Sequence, residues 1–132
     1  MLPFYSGSSD FTPKAEFSNL SGVFELTGVS RPENVSAFYN QLIDWLKAFE
    51  QDCLHSGIWP SHEITMDFKL TYCNSASSKY IFQMLEIIIS WERHGIIPVI
   101  NWYYDENDDK MKDDGQDLAD ALEYNFNYIP LS

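Results

Sequence analysis

Two stretches of the chain carry residue types that could do chemistry. The first runs from Asp105 to Asp117, where Asp105, Glu106, Asp108, Asp109, Asp113, Asp114 and Asp117 stand against only Lys110 and Lys112. Asp105-x-Asn107-x-Asp109 has the spacing of the first three ligands of a calcium-binding loop. The spacing then breaks, with Lys110 where such a loop needs glycine and Gln116 where it needs a bidentate glutamate. Carboxylates also suit the first turn of a helix, where they meet the positive end of the macrodipole. The stretch therefore reads as a solvated helix start, and a metal-dependent hydrolase built on it is the weaker reading. The second stretch is Asn74-Ser75-Ala76-Ser77-Ser78-Lys79. One of its serines could cap the helix that follows. Displayed to solvent instead, a hydroxyl at a helix N-terminus can accept a phosphate, because free backbone N–H groups and the dipole tolerate the added charge.

The other reactive residue types do not converge. His55, His62 and His94 are scattered, and Cys53-x-His55 has no second pair to complete a zinc set. No Gly-x-Ser-x-Gly, Walker loop or Gly-x-Gly-x-x-Gly is present. The residues give no sign of an enzyme, of a cofactor or of a metal. Cys53 and Cys73 could form a single disulfide, and two reduced thiols are the simpler reading.

The serine stretch needs elements to position it. From His62 to Tyr72, Ile64, Met66, Phe68, Leu70 and Tyr72 alternate with Glu63, Thr65, Asp67, Lys69 and Thr71. That is a strand polar along one whole face, from a sheet covered by helices on one side only or from an edge. Lys79 to His94 reads as a helix apolar over most of its circumference, with Lys79, Gln83, Glu86, Ser90 and Arg93 as its one polar stripe. Such a helix is either deeply buried or half exposed for a partner, and Tyr80 and Met84 are the partner-facing candidates.

Upstream, Ser30-Arg31-Pro32-Glu33 matches a capping box and predicts a helix to about Asp52, with Val35, Phe38, Leu42, Trp45 and Phe49 along one face. Thr12 to Phe17 and Val23 to Thr27 suggest a hairpin around the turn at Asn19 to Gly22. Gly95 ends the greasy helix, and Ile97 to Tyr104 reads as a buried strand with Pro98 near its start. Met111, Leu118 and Leu122 mark the buried side of a third helix, with Gly115 at a close contact, before a short strand from Asn125 to Ile129. Residues 1–11 read as a loose segment and 12–132 as one domain. The order β-β-α-β-α-β-α-β gives a single open α/β (α+β) mixed sheet with helices mainly on one face.

Composition bounds the function. The chain has 132 residues, 45% of them hydrophobic and 16% aromatic, which excludes intrinsic disorder. Its net charge of −12 and pI near 4.3 argue against nucleic acid and against docking to an anionic membrane. The N-terminus lacks the basic and apolar regions of a signal peptide, and no apolar run is long enough to span a bilayer. A cytoplasmic protein is the expectation.

The segment from Thr71 to Lys79 resembles the Tyr-x-Asn-Thr-Ser-Ser-x-Lys signature of the SiaC-type biofilm regulatory phosphoproteins. Further blocks agree in order and spacing: Thr12-Pro13, Gly28 to Asn34 with Phe38-Tyr39 and Ile43-Asp44-Trp45, and Asn101 to Asp105 before the acidic helix. The resemblance implies a non-enzymatic partner-switching protein, similar in topology and logic to bacterial anti-sigma-factor antagonists (STAS-like domains). It implies a dedicated serine/threonine kinase, a metal-dependent phosphatase, and an unphosphorylated form that activates a diguanylate cyclase, raising cyclic di-GMP and favouring aggregation or biofilm. The family's phosphoacceptor falls on Ser75, with Tyr72, Asn74 and Lys79 around it and Ser77 and Ser78 as rival acceptors. Serine stands here where the signature has threonine, and Ala76 where it has serine. The alternative is a structural or small-ligand-binding α/β domain in which Ser75 only caps its helix.

Overall fold

The alternating stretch that ends beside the serines is the centre of the molecule. The computed structural model describes residues 1–132. Its elements are β1 (Phe4–Ser6), β2 (Lys14–Phe17), β3 (Val23–Ser30), α1 (Val35–Ser56), β4 (Glu63–Cys73), α2 (Ser75–Ser90), a 3₁₀ turn (Trp91–His94), β5 (Ile97–Asp105), α3 (Asp109–Leu122) and β6 (Asn127–Leu131). The strands form one sheet in their order along the chain. β1, β2 and β3 pair antiparallel, and the steps from β3 through β6 are parallel. A parallel step requires a crossover, which α1, α2 and α3 supply in turn. Successive right-handed crossovers moving one way across a sheet put all their helices on the same face. α2 packs between α1 and α3. The expected α/β architecture holds, with one strand more than the sequence suggested.

The covered face is apolar in every strand. Phe24 and Leu26 of β3, Ile64, Met66, Phe68 and Leu70 of β4, and Ile100 and Trp102 of β5 meet Leu42, Leu46 and Phe49 of α1 and Ile81, Leu85 and Ile88 of α2. Each such side chain contributes roughly 1.5–3 kcal/mol when taken from water. α3 comes closest to the sheet at Gly115, where an added Cβ would lie 2.5 Å from the Trp102 ring. The Trp102 indole N–H donates to the Met111 carbonyl at 2.8 Å, fixing the same contact from its polar side.

The opposite face carries no helix and is polar in pairs. Lys69 lies 3.8 Å from Glu25, while the Asn101 amide donates to Asp67 at 2.8 Å and that of Asn127 to Asn101 at 2.9 Å. β4, polar on this side throughout, is therefore central rather than an edge. No helix is long and apolar enough to cross a membrane. Cys53 and Cys73 are buried free thiols.

Four local readings are corrected. The N-terminal segment expected to be loose contributes edge strand β1: Phe4 packs on Phe17 at 6.0 Å, and the Trp45 indole N–H donates to the Leu2 carbonyl at 3.1 Å. Ser30 does not cap α1. It is the buried last residue of β3, and Asn34 is the cap, its side-chain oxygen accepting the Ala37 N–H at 3.1 Å. α1 runs on past Asp52 to Ser56, closing on Gly57 at φ 73°. Finally, the period-2 pattern of β4 breaks near its end. Gly28 pairs with Leu70 and Val29 with Tyr72, so Thr71 is an extra, bulged residue. Tyr72, expected to point inward, is exposed, and Cys73 is buried in its place.

Candidate functional site

β3 and β4 end side by side at Ser30 and Cys73, and the Asn74 N–H donates to the Ser30 carbonyl at 3.1 Å. The chain turns there into α2. Asn74 caps the helix, its side-chain oxygen accepting the Ser77 N–H at 2.8 Å. Helix α2 thus starts at Ser75, a turn earlier than the apolar pattern indicated, and the serine-cap reading is corrected: an asparagine does that work. Ser75, the first helical residue, is exposed, and its hydroxyl makes no hydrogen bond within the chain.

The neighbouring serines are placed differently. Ser77 and Ser30 are both wholly buried. Ser30 donates its hydroxyl proton to Ser77 Oγ at 2.9 Å, and Ser77 donates to the Ser30 carbonyl at 3.2 Å. With both serine protons committed, the buried Tyr39 hydroxyl is the donor to Ser30 Oγ. Burial holds the Tyr39 phenol well above its ordinary pKa of 10.0, so it stays a donor at all ordinary pH. This network ties the start of α2 to β3 and α1. It leaves the Ser77 hydroxyl, an expected rival acceptor, both buried and paired. Ser78 is half-buried, its hydroxyl 3.4 Å from the Asn74 carbonyl and 3.6 Å from the Cys73 sulfur. Burial likewise pushes the Cys73 thiol above its ordinary range.

The other candidates divide in the same way. Lys79 is exposed and makes no ion pair. Tyr80 is half-buried, its ring stacked on Tyr39 at 5.8 Å and 13°. Met84, taken from sequence as partner-facing, is fully buried and is corrected to a core residue. In a helix apolar nearly all round, composition does not say which apolar side faces out. Tyr72, made exposed by the bulge, lies under the Arg31 guanidinium at 6.0 Å, with Phe11 on that guanidinium at 5.3 Å. Arg31 and Phe11 were not singled out as site residues from sequence. The proximity of Ser30 to Cys73 across two strands is what brings them here, and no local pattern encodes it.

The acidic stretch resolves into turn and cap. Asp105 accepts the Asn107 N–H at 2.9 Å, Asp108 caps α3 by accepting the Met111 N–H at 3.0 Å, and Asp114 holds Lys110 at 2.9 Å. No three His, Cys, Asp or Glu side chains come together so as to hold a metal ion.

The family model for the SiaC family regulatory phosphoproteins matches residues 7–131. An uncharacterized protein of Pseudomonas aeruginosa (strain UCBPP-PA14) is 23% identical over 115 residues, covering 87% of this chain and 86% of its own. Among solved structures, the fold matches a chain of the Pseudomonas aeruginosa diguanylate cyclase SiaD in complex with its activator SiaC. The TM-score there is 0.83 at 20% identity, over 97% of this chain and 99% of the other. It also matches apo-SiaC of the same organism, with a TM-score of 0.74 at 21% identity over the full length of both. The chain belongs to the SiaC family of regulatory phosphoproteins.

Proposed function

We propose that this protein is a non-enzymatic partner switch in the cytoplasm, phosphorylated on Ser75 by a serine/threonine kinase and restored by a metal-dependent phosphatase. Its unphosphorylated form binds and activates a diguanylate cyclase, which couples the switch to cyclic di-GMP and to aggregation or biofilm formation. The observation that carries the reading is the state of Ser75: an exposed hydroxyl with no internal partner, on the first turn of a helix whose cap is another residue. Tyr72, Asn74 and Lys79 surround it, and Tyr80 is the remaining apolar candidate for the partner surface.

The size of the effect follows from electrostatics. Phosphate adds about −1.5 to −2 charge near neutral pH. A partner packed over residue 75 must desolvate that charge or meet it with a cation, and an uncompensated buried charge costs several kcal/mol. A hundredfold loss of affinity needs only about 2.7 kcal/mol. The fold can stay as it is while the surface changes.

Two measurements test this. Co-expression with a cognate serine/threonine kinase should add one phosphate by intact mass, and Ser75→Ala should abolish it; modification that persists in Ser75→Ala would refute the assignment. Wild-type protein should capture a cognate diguanylate cyclase and raise its cyclic di-GMP output. Ser75→Asp should lose about a hundredfold in affinity, and equal capture by the two forms would sink the switch.

A further inference from the structure

We propose that the Arg31 guanidinium is the receiver, within this chain, for the phosphate carried by Ser75. The inference rests on the assignment of Ser75 as the phosphoacceptor and deepens it. Ser30 pairs with Cys73 across β3 and β4. Arg31 and Ser75 therefore leave neighbouring strand ends, one and two residues beyond a cross-strand pair whose strands lie about 4.8 Å apart. The backbone here is fixed from both sides. Arg31 donates its N–H to the Phe11 carbonyl at 2.8 Å, and Asn74 donates to the Ser30 carbonyl at 3.1 Å.

The Arg31 side chain is free in the sense that matters. It has no carboxylate partner, and its guanidinium rests against two half-exposed rings, Phe11 at 5.3 Å and Tyr72 at 6.0 Å. Contacts of a cation with exposed aromatic faces are weak. A two-pronged, charge-assisted hydrogen bond to a phosphate dianion is stronger, and guanidinium is the side chain whose geometry supplies it. The other cations nearby are less suited. Lys110 is already held by Asp114 at 2.9 Å. Lys79 lies one helical turn after Ser75 and offers a single flexible ammonium. In the unphosphorylated chain Arg31 bridges Phe11 and Tyr72; in the phosphorylated chain it moves to the phosphate, and the two rings lose their bridge.

Phosphoserine installed at residue 75 during translation makes the test independent of any kinase, so a failure here is distinct from a failure of the kinase experiment above. Phosphorus NMR then reads the second ionisation of the phosphate, ordinarily near pH 6. In wild-type protein it should fall at least about half a unit below its value in Arg31→Gln, since a neighbouring cation favours the charged form. Lys79→Gln should leave most of that depression in place, and Arg31→Lys should keep only part of it. Thermal melts of the unphosphorylated variants check that each is folded. Equal ionisation in wild type and Arg31→Gln, or a depression lost in Lys79→Gln and kept in Arg31→Gln, overturns the proposal.

Discussion

The starts of α2 and α3 are built alike and charged differently. Each is capped by an Asx side chain that accepts the N–H three residues on, Asn74 from Ser77 at 2.8 Å and Asp108 from Met111 at 3.0 Å. The α3 cap is a carboxylate with Asp109 behind it, so the positive end of that helix is answered at all times. The α2 cap is neutral, and no acidic residue occupies its first turn. Its dipole is left for something else to meet. The conspicuous charge of this molecule is thus structural, and the helix start proposed for regulation is the uncharged one.

The sharpest test of that contrast is a change in how α3 is held. If packing against Trp102 anchors α3, Gly115→Val should cost about 2–3 kcal/mol in urea unfolding without altering phosphate uptake at Ser75. A neutral result would mean that the acidic start, not the packing, secures the helix. Next, Asn74→Ala and Asp108→Ala should each lower stability by about 1 kcal/mol. Salt should narrow the difference between them, because only the aspartate cap acts through net charge. The smallest effect belongs to Ser75→Ala, expected within about 0.5 kcal/mol of wild type by thermal unfolding. A loss well above that would give the Ser75 hydroxyl a structural bond and erase the distinction between the two helix starts.

Much of this arrangement was legible because it is periodic. Phe38, Leu42 and Phe49 marked the buried face of α1, and Ile64 to Leu70 marked the central strand together with its polar side. Gly115 declared a close contact because it is the one glycine on the buried side of α3. What escaped reading depends on contacts distant in sequence. Ser30-x-x-Glu33 fits a capping box, yet Ser30 is needed as the acceptor for Tyr39 and the donor to Ser77, 47 residues away. The first strand has no alternation to announce it; its place is secured by Phe17 and Trp45. At the site, resemblance pointed to Ser75 while the residue pattern alone left the capping role open. Only the Asn74 cap separates the exposed hydroxyl from the buried one two residues later.

The bulge at Thr71 makes the number of residues in β4 matter as much as their kind. Up to Leu70 the strand keeps time with β3; the extra residue then advances the chain by half a pleat before it reaches the helix. A residue inserted between Gly28 and Val29 would give Thr71 a partner, restore one-for-one pairing and exchange the sides of Tyr72 and Cys73. The phenol would be forced under the helices and the thiol turned outward. A residue inserted between Ile58 and Ser61, in the loop joining α1 to β4, meets no strand pairing and can be absorbed locally. Two indels of equal length would therefore have opposite fates: one shifts a loop, the other turns over the strand end that leads into Ser75.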